Sequence, residues 1–249
     1  MKGLKNISIY FNRINRNTSE NTSYIKGINN TSANELMLFT GEHYHNYTYL
    51  LNNFTNLTSL IIKHQDNYCS WCKNYSQIVS EIKIKEKLDS KINRISIEIQ
   101  RNIEIYCSSY ENLRDINIKI DNKTRMENSY NVLKDCLPIF SKNCRVIFKS
   151  LINFEFCFEY QIHFSIIENI YNNIDKMPKL RSFSFICLSK ENNEDFYNKL
   201  IKKLILKKLE KITLKIQKHK FKELKEIYGN INEYNLNNFN IGKMIINKK

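Results

Sequence analysis

Cys69-Ser-Trp-Cys72 sets two thiols three residues apart, the spacing of half a zinc site or of a redox pair. His43, His45 and His64 lie upstream and are of the right type to complete a tetrahedral site. The intervals fit no standard finger, however, and the chain has no second Cys-x-x-Cys. A redox pair would need a strand before it and a helix after it in a thioredoxin-like setting, which the surrounding residues do not offer. Cys69 and Cys72 are therefore the metal candidates, but no metal and no other cofactor is expected.

Other chemistry is equally hard to place. No G-x-x-x-x-G-K-[ST], G-x-G-x-x-G, G-x-S-x-G or H-E-x-x-H motif occurs, and 5 glycines in 249 residues leave little material for a phosphate-cradling loop. Glu194-Asp195 stands where a helix should begin, so its charges suit the helix dipole better than acid–base work. His163 and His219 are isolated. The chain is expected not to be an enzyme.

The formal net charge of +14 raises nucleic acid or an anionic surface as a partner. Lysines gather in the C-terminal third, at 202, 203, 207, 208, 211, 215, 218, 220, 222 and 225. That run lacks arginine and regularly interleaved aromatics, which supply bidentate contacts and base stacking in most specific nucleic-acid binders. Lys, Asn and Ile are all abundant and all favoured by AT-rich codons, so much of the charge reads as composition. A basic nucleic-acid or anionic-surface binder using this third is the alternative function.

The elements that must position these residues are announced by a recurring phrase: apolar, two residues, apolar, one residue, apolar. It reads Leu4-x-x-Ile7-x-Ile9, Leu57-x-x-Leu60-x-Ile62, Ile92-x-x-Ile95-x-Ile97 and Leu113-x-x-Ile116-x-Ile118. It continues as Leu151-x-x-Phe154-x-Phe156, Leu180-x-x-Phe183-x-Phe185, Leu209-x-x-Ile212-x-Leu214 and, more loosely, Ile231-x-x-Tyr234-x-Leu236. Weaker copies begin at Ala33 and Val79. The middle residues fall at 7, 36, 60, 82, 95, 116, 154, 183, 212 and 234, mostly 20–29 residues apart. Ile82 and Ile95 are too close for both to mark strands of one repeat series, and the long step after Ile116 implies an insertion over 121–150.

Between the phrases the apolar period shifts from two toward 3.6. Ile166, Ile167, Ile170 and Ile174 predict a helix with Ser165 as N-cap, stopped by Pro178. Phe196, Leu200, Ile201 and Leu204 predict a second, Phe221, Leu224 and Ile227 a third, and Asn131–Phe140 a fourth, ended or kinked at Pro138. Residues 12–33 read as a polar loop and 241–249 as a basic tail. One irregular domain over 1–240 is expected. Seven scattered cysteines suggest no disulfide framework. Neither a signal peptide nor a transmembrane segment is visible, so an intracellular, cytoplasmic protein is expected.

The phrase resembles the leucine-rich repeat superfamily, whose core is L-x-x-L-x-L-x-x-N/C-x-L. The long steps look most like its ribonuclease-inhibitor-type and F-box-associated branches, although no F-box is seen. The ninth position keeps a polar side chain at Asn12, Gln65, Gln100, Asp121, Glu159 and Gln217, and departs from the pattern at Gly41, Lys87, Leu188 and Phe239. The resemblance implies an α/β solenoid with parallel strands on the concave face and helices or irregular returns on the convex face.

Strand side chains alternate, so such a concave face would display Ser59, Lys63, Arg94, Glu98, Asp115, Asn117 and Lys119. Farther along it would carry Asn153, Glu155, Ser182, Ser184, Lys211, Thr213 and Lys215. That mixture of charges suits another protein as partner better than a nucleic-acid backbone. A non-enzymatic protein–protein interaction scaffold is the leading expectation.

Overall fold

A computed structural model of the chain describes residues 5–10, 32–40, 51, 54–64, 80–84, 91–99, 103–107, 110–120, 137–158, 164–187, 194–207, 209–216, 234–240 and 243–248. Ten strands join one sheet. In chain order they are β1 (Asn6–Tyr10), β2 (Glu35–Thr40), β3 (Ser59–His64), β5 (Arg94–Ile99), β7 (Asp115–Ile120), β8 (Asn153–Phe158), β9 (Ser182–Cys187), β10 (Lys211–Ile216), β11 (Tyr234–Asn240) and β12 (Lys243–Lys248). Their spatial order is β1-β2-β3-β5-β7-β8-β9-β10-β12-β11. The first eight pair in parallel, and β12 and β11 then run antiparallel. A separate parallel pair joins β4 (Ser80–Ile84) to β6 (Ile103–Cys107).

The middle residue of the apolar phrase sets the register. Ile7 pairs with Leu36, Leu36 with Leu60, Leu60 with Ile95 and Ile95 with Ile116. Ile116 then pairs with Phe154, Phe154 with Phe183 and Phe183 with Ile212. Sliding any strand by one residue would move its apolar set to the solvent face, so burial itself fixes this alignment.

The backbone repeats at the same grain. Two residues before each middle residue, one carbonyl accepts from two successive N–H groups of the next strand. Lys5 O takes Asn34 and Glu35, Asn34 O takes Thr58 and Ser59, and Thr58 O takes Asn93 and Arg94. Asn93, Arg114, Ile152 and Arg181 do the same for the four strands that follow.

The first apolar position of the phrase is no more than 5% exposed at Ala33, Leu57, Ile92, Leu113, Leu151, Leu180 and Leu209. The second and third positions are buried in β2, β3, β5, β7, β8, β9 and β10. Fully burying one such side chain contributes about 1.5–3 kcal/mol, so this column is the main source of stability. At β8 and β9 the column turns aromatic: Phe154 stacks on Phe183 at 5.6 Å and Phe156 on Phe185 at 5.8 Å.

Among the described residues, two helices pack into the same core. Helix α1 (Phe164–Asn173) contributes Ile166, Ile167 and Ile170, and α2 (Glu194–Leu206) contributes Phe196, Tyr197, Leu200, Ile201 and Leu204. Phe164 meets Phe196 edge-on at 4.7 Å. Two buried asparagines fasten α1 to a 3₁₀ turn at Pro138–Phe140. Asn169 donates to Phe140 O at 2.8 Å, and Asn173 donates to Ile139 O and Ser141 O, both at 2.9 Å.

Ile82 and Ile95 do not mark strands of one series, as their short step requires: β5 joins the main sheet, while β4 belongs to the smaller one. Other sequence expectations need correction. The loose phrase at Tyr234 forms β11, which is antiparallel and not a ninth parallel strand. Where a basic tail was expected, Lys243–Lys248 forms β12 and pairs with β10. Ser165 lies inside α1, which starts at Phe164, and Pro138 starts a 3₁₀ turn, where its missing N–H has no helical partner to lose. The helix expected over 221–228, most of loop 12–33, all ninth-position residues but Phe239, and residues 121–136 of the insertion lie outside the described residues.

Candidate functional site

Alternation leaves every second strand residue on the face opposite the core, and β7 shows it plainly. Ile116, Ile118 and Ile120 are buried there, while Asp115, Asn117 and Lys119 are half-exposed. All fourteen sequence-predicted residues lie on this open face, aligned by the register into three rows. The first runs Glu35, Ser59, Arg94, Asp115, Asn153, Ser182, Lys211. The second runs Met37, Ile61, Ser96, Asn117, Glu155, Ser184, Thr213, and the third Phe39, Lys63, Glu98, Lys119, Cys157, Ile186, Lys215.

Row neighbours on adjacent strands stand within reach of one another and bond sideways. Ser59 Oγ donates to Glu35 Oε2 at 3.2 Å, and Asn117 Nδ2 to Glu155 Oε2 at 3.3 Å. Asn153 donates to Asp115. Glu98 sits between two lysines, 3.1 Å from Lys119 Nζ and 3.8 Å from Lys63 Nζ. These three side chains are each 39% exposed, so each pair is worth about 0–1 kcal/mol and mainly fixes orientation.

The polar groups from β2 to β8 are thus largely engaged with one another. The far end differs. No hydrogen bond or ion pair among the described residues engages the side chains of Ser182, Ser184, Lys211, Thr213 or Lys215. These residues line a shallow depression of about 560 Å³, with Asn153 and Glu155 on one wall, β9 as floor, and Lys211, Thr213 and Lys215 on the other wall.

Six positions in these rows escaped sequence reasoning: Asn6, Ser8 and Tyr10 on β1, which align with Glu35, Met37 and Phe39 on β2. The β2 phrase starts with Ala33, whose small side chain weakened the pattern, although the alternation was present. In the other direction, Ser59 is only 8% exposed and offers little to a partner.

The lysine-rich third is partly committed to the fold. Lys203 Nζ lies 2.8 Å from Asp175 Oδ2, donates to Tyr171 O at 2.9 Å and rides 4.5 Å over the Tyr171 ring. Burial pushes the Lys207 ammonium below its ordinary range, with Asp175 pulling it up and Lys203 pushing it down. Lys202 is exposed, and Lys208 lies outside the described residues. Cys69, Cys72, His43 and His45 also lie outside them. Among the described residues no group of three or more His, Cys, Asp or Glu side chains is placed to hold a metal ion. No helix of the described residues is long and apolar enough to cross a membrane.

Fold and face together define an α/β protein whose parallel sheet keeps one face in the core and offers the other, polar face to solvent. No protein-family model, curated protein or solved structure matches the chain.

Proposed function

We propose that this chain is a leucine-rich-repeat-like solenoid that acts as a non-enzymatic scaffold, binding another protein on the open face of its parallel strands. The recurring carbonyl that accepts two N–H groups, step after step in one register, supports a repeated unit. The binding reading is carried by the charge of the face. Lys63, Arg94, Lys119, Lys211 and Lys215 stand there against Glu35, Glu98, Asp115 and Glu155, a near balance in a chain of net charge +14. Balanced charges, hydroxyls and the apolar Met37, Phe39 and Ile186 are the mixture of a protein interface, whereas a phosphate backbone selects unopposed cations.

Photo-crosslinking amino acids at Ser96 and Thr213 on the face, and at Lys149 and Lys202 away from it, test this in cells. Capture of one discrete protein from both face positions and from neither outer position is expected. Crosslinking confined to Lys202, or to nucleic acid, would instead favour a basic binder working through the lysine-rich third.

A further inference from the structure

The depression over β8, β9 and β10 carries an ordered charge pattern along the strand direction. Its first row ends in Lys211, its second holds Glu155 across Ser184 from Thr213, and its third ends in Lys215. The sequence of charge is therefore plus, minus, plus, with successive rows two residues apart. At about 3.3 Å per residue, the rows are roughly 7 Å apart and the two lysines about 13 Å. An extended peptide has the same repeat: its side chains on one side also recur every second residue.

We propose that this trough binds an extended segment of a protein partner that presents acid, base and acid at alternate positions. The two acids pair with Lys211 and Lys215, and the base reaches the Glu155 wall. The proposal rests on the reading of the open face as a protein-binding surface. Four observations favour this occupant. Lys211 and Lys215 are exposed and have no ion-pair partner among the described residues, so they meet a ligand without first breaking a bond. The floor residues Ser182 and Ser184 are short, which leaves room for a backbone and offers hydroxyls to it. Glu155 lies about two strand spacings, roughly 10 Å, from the β10 wall and would repel a polyanion. Among the described residues no arginine lines the trough, and Phe154 turns its ring into the core, so these residues offer base stacking no platform.

The probe is a dye-labelled heptapeptide with glutamate at its second and sixth positions, lysine at its fourth and serine elsewhere. Fluorescence anisotropy compares it with a peptide of the same composition whose charges are adjacent, with the charge-inverted peptide, and with a single-stranded oligonucleotide. The alternating peptide is expected to bind at least about tenfold tighter than the adjacent-charge one. K211E/K215E should weaken it by at least tenfold and shift preference to the charge-inverted peptide, while E155Q should weaken it less. Unchanged thermal melting would show that these exposed substitutions spare the fold. Equal binding of the two acidic peptides, no binding at about 1 mM, or tighter lysine-dependent binding of the oligonucleotide would overturn the proposal. Binding that survives K211E/K215E but is lost on K63E/K119E would reject the trough and leave the broader open-face reading standing.

Discussion

Asn173 shows how a single side chain holds a return in place. Its amide is 1% exposed and satisfies two carbonyls of the turn after Pro138, a job no apolar residue of similar size can do. Asn173→Leu should cost about 2–4 kcal/mol in urea denaturation, well above a surface asparagine change. Lys203 is a milder case, since Asp175 is 72% exposed. Lys203→Met should cost about 1 kcal/mol or less, and Lys202→Met nothing measurable. Cys144 carries a pH signature. Burial raises its thiol above the ordinary value of 9.0, against the lowering effects of the Val146 carbonyl contact and Lys176. A raised folded value adds stability that is fully present below the unfolded value and is lost as pH rises through the folded one. Denaturation of the native chain should therefore become easier from about pH 9 upward, more steeply than for Cys144→Ala. Peptide-resolved alkylation at pH 8 should label the half-exposed Cys157 before Cys144.

Strands were the most legible elements because their apolar spacing states directly which side chains are buried. Eight middle residues, from Ile7 to Ile212, are the residues that register with one another. The same spacing cannot say which sheet a strand joins or in which sense it runs. Val79-x-x-Ile82-x-Ile84 and Ile231-x-x-Tyr234-x-Leu236 carry the pattern as well as β2 does, yet one feeds the small sheet and the other an antiparallel end. At the face, Lys211, Glu155 and Lys215 were individually visible. Their plus-minus-plus order was not, because it exists only once three strands separated by 29-residue steps are aligned. Strand β12 covers the edge of β10, and exposed parallel-sheet edges template further pairing. Removing residues 243–248 should lower the melting temperature and increase self-association in light scattering. Phe156→Ala, which strips contacts with Phe140, Phe158 and Phe185, should cost about 3–5 kcal/mol.

Across the whole molecule, the phrase divides the chain into two functions by parity. One set of strand residues meets α1 and α2 in a continuous core, and the alternate set forms rows on a face the helices do not use. The charge follows the same division, since the open face is near balance while the chain as a whole is strongly basic. At its far end the parallel series stops where β12 and β11 reverse direction, with a register shift between Asn237 and Asn240 in the Asn-rich last strand. Such irregular, polar edges resist addition of further strands.

The division of strand residues by parity is tested most directly by an alanine scan of β7 followed by chemical denaturation. Ile116→Ala, Ile118→Ala and Ile120→Ala should each lose about 2–5 kcal/mol, while Asp115→Ala, Asn117→Ala and Lys119→Ala should each stay within about 1 kcal/mol of the native chain. Equal losses at both sets, or larger losses at the polar set, would mean that the polar face is packed inside the molecule and is not available to a partner.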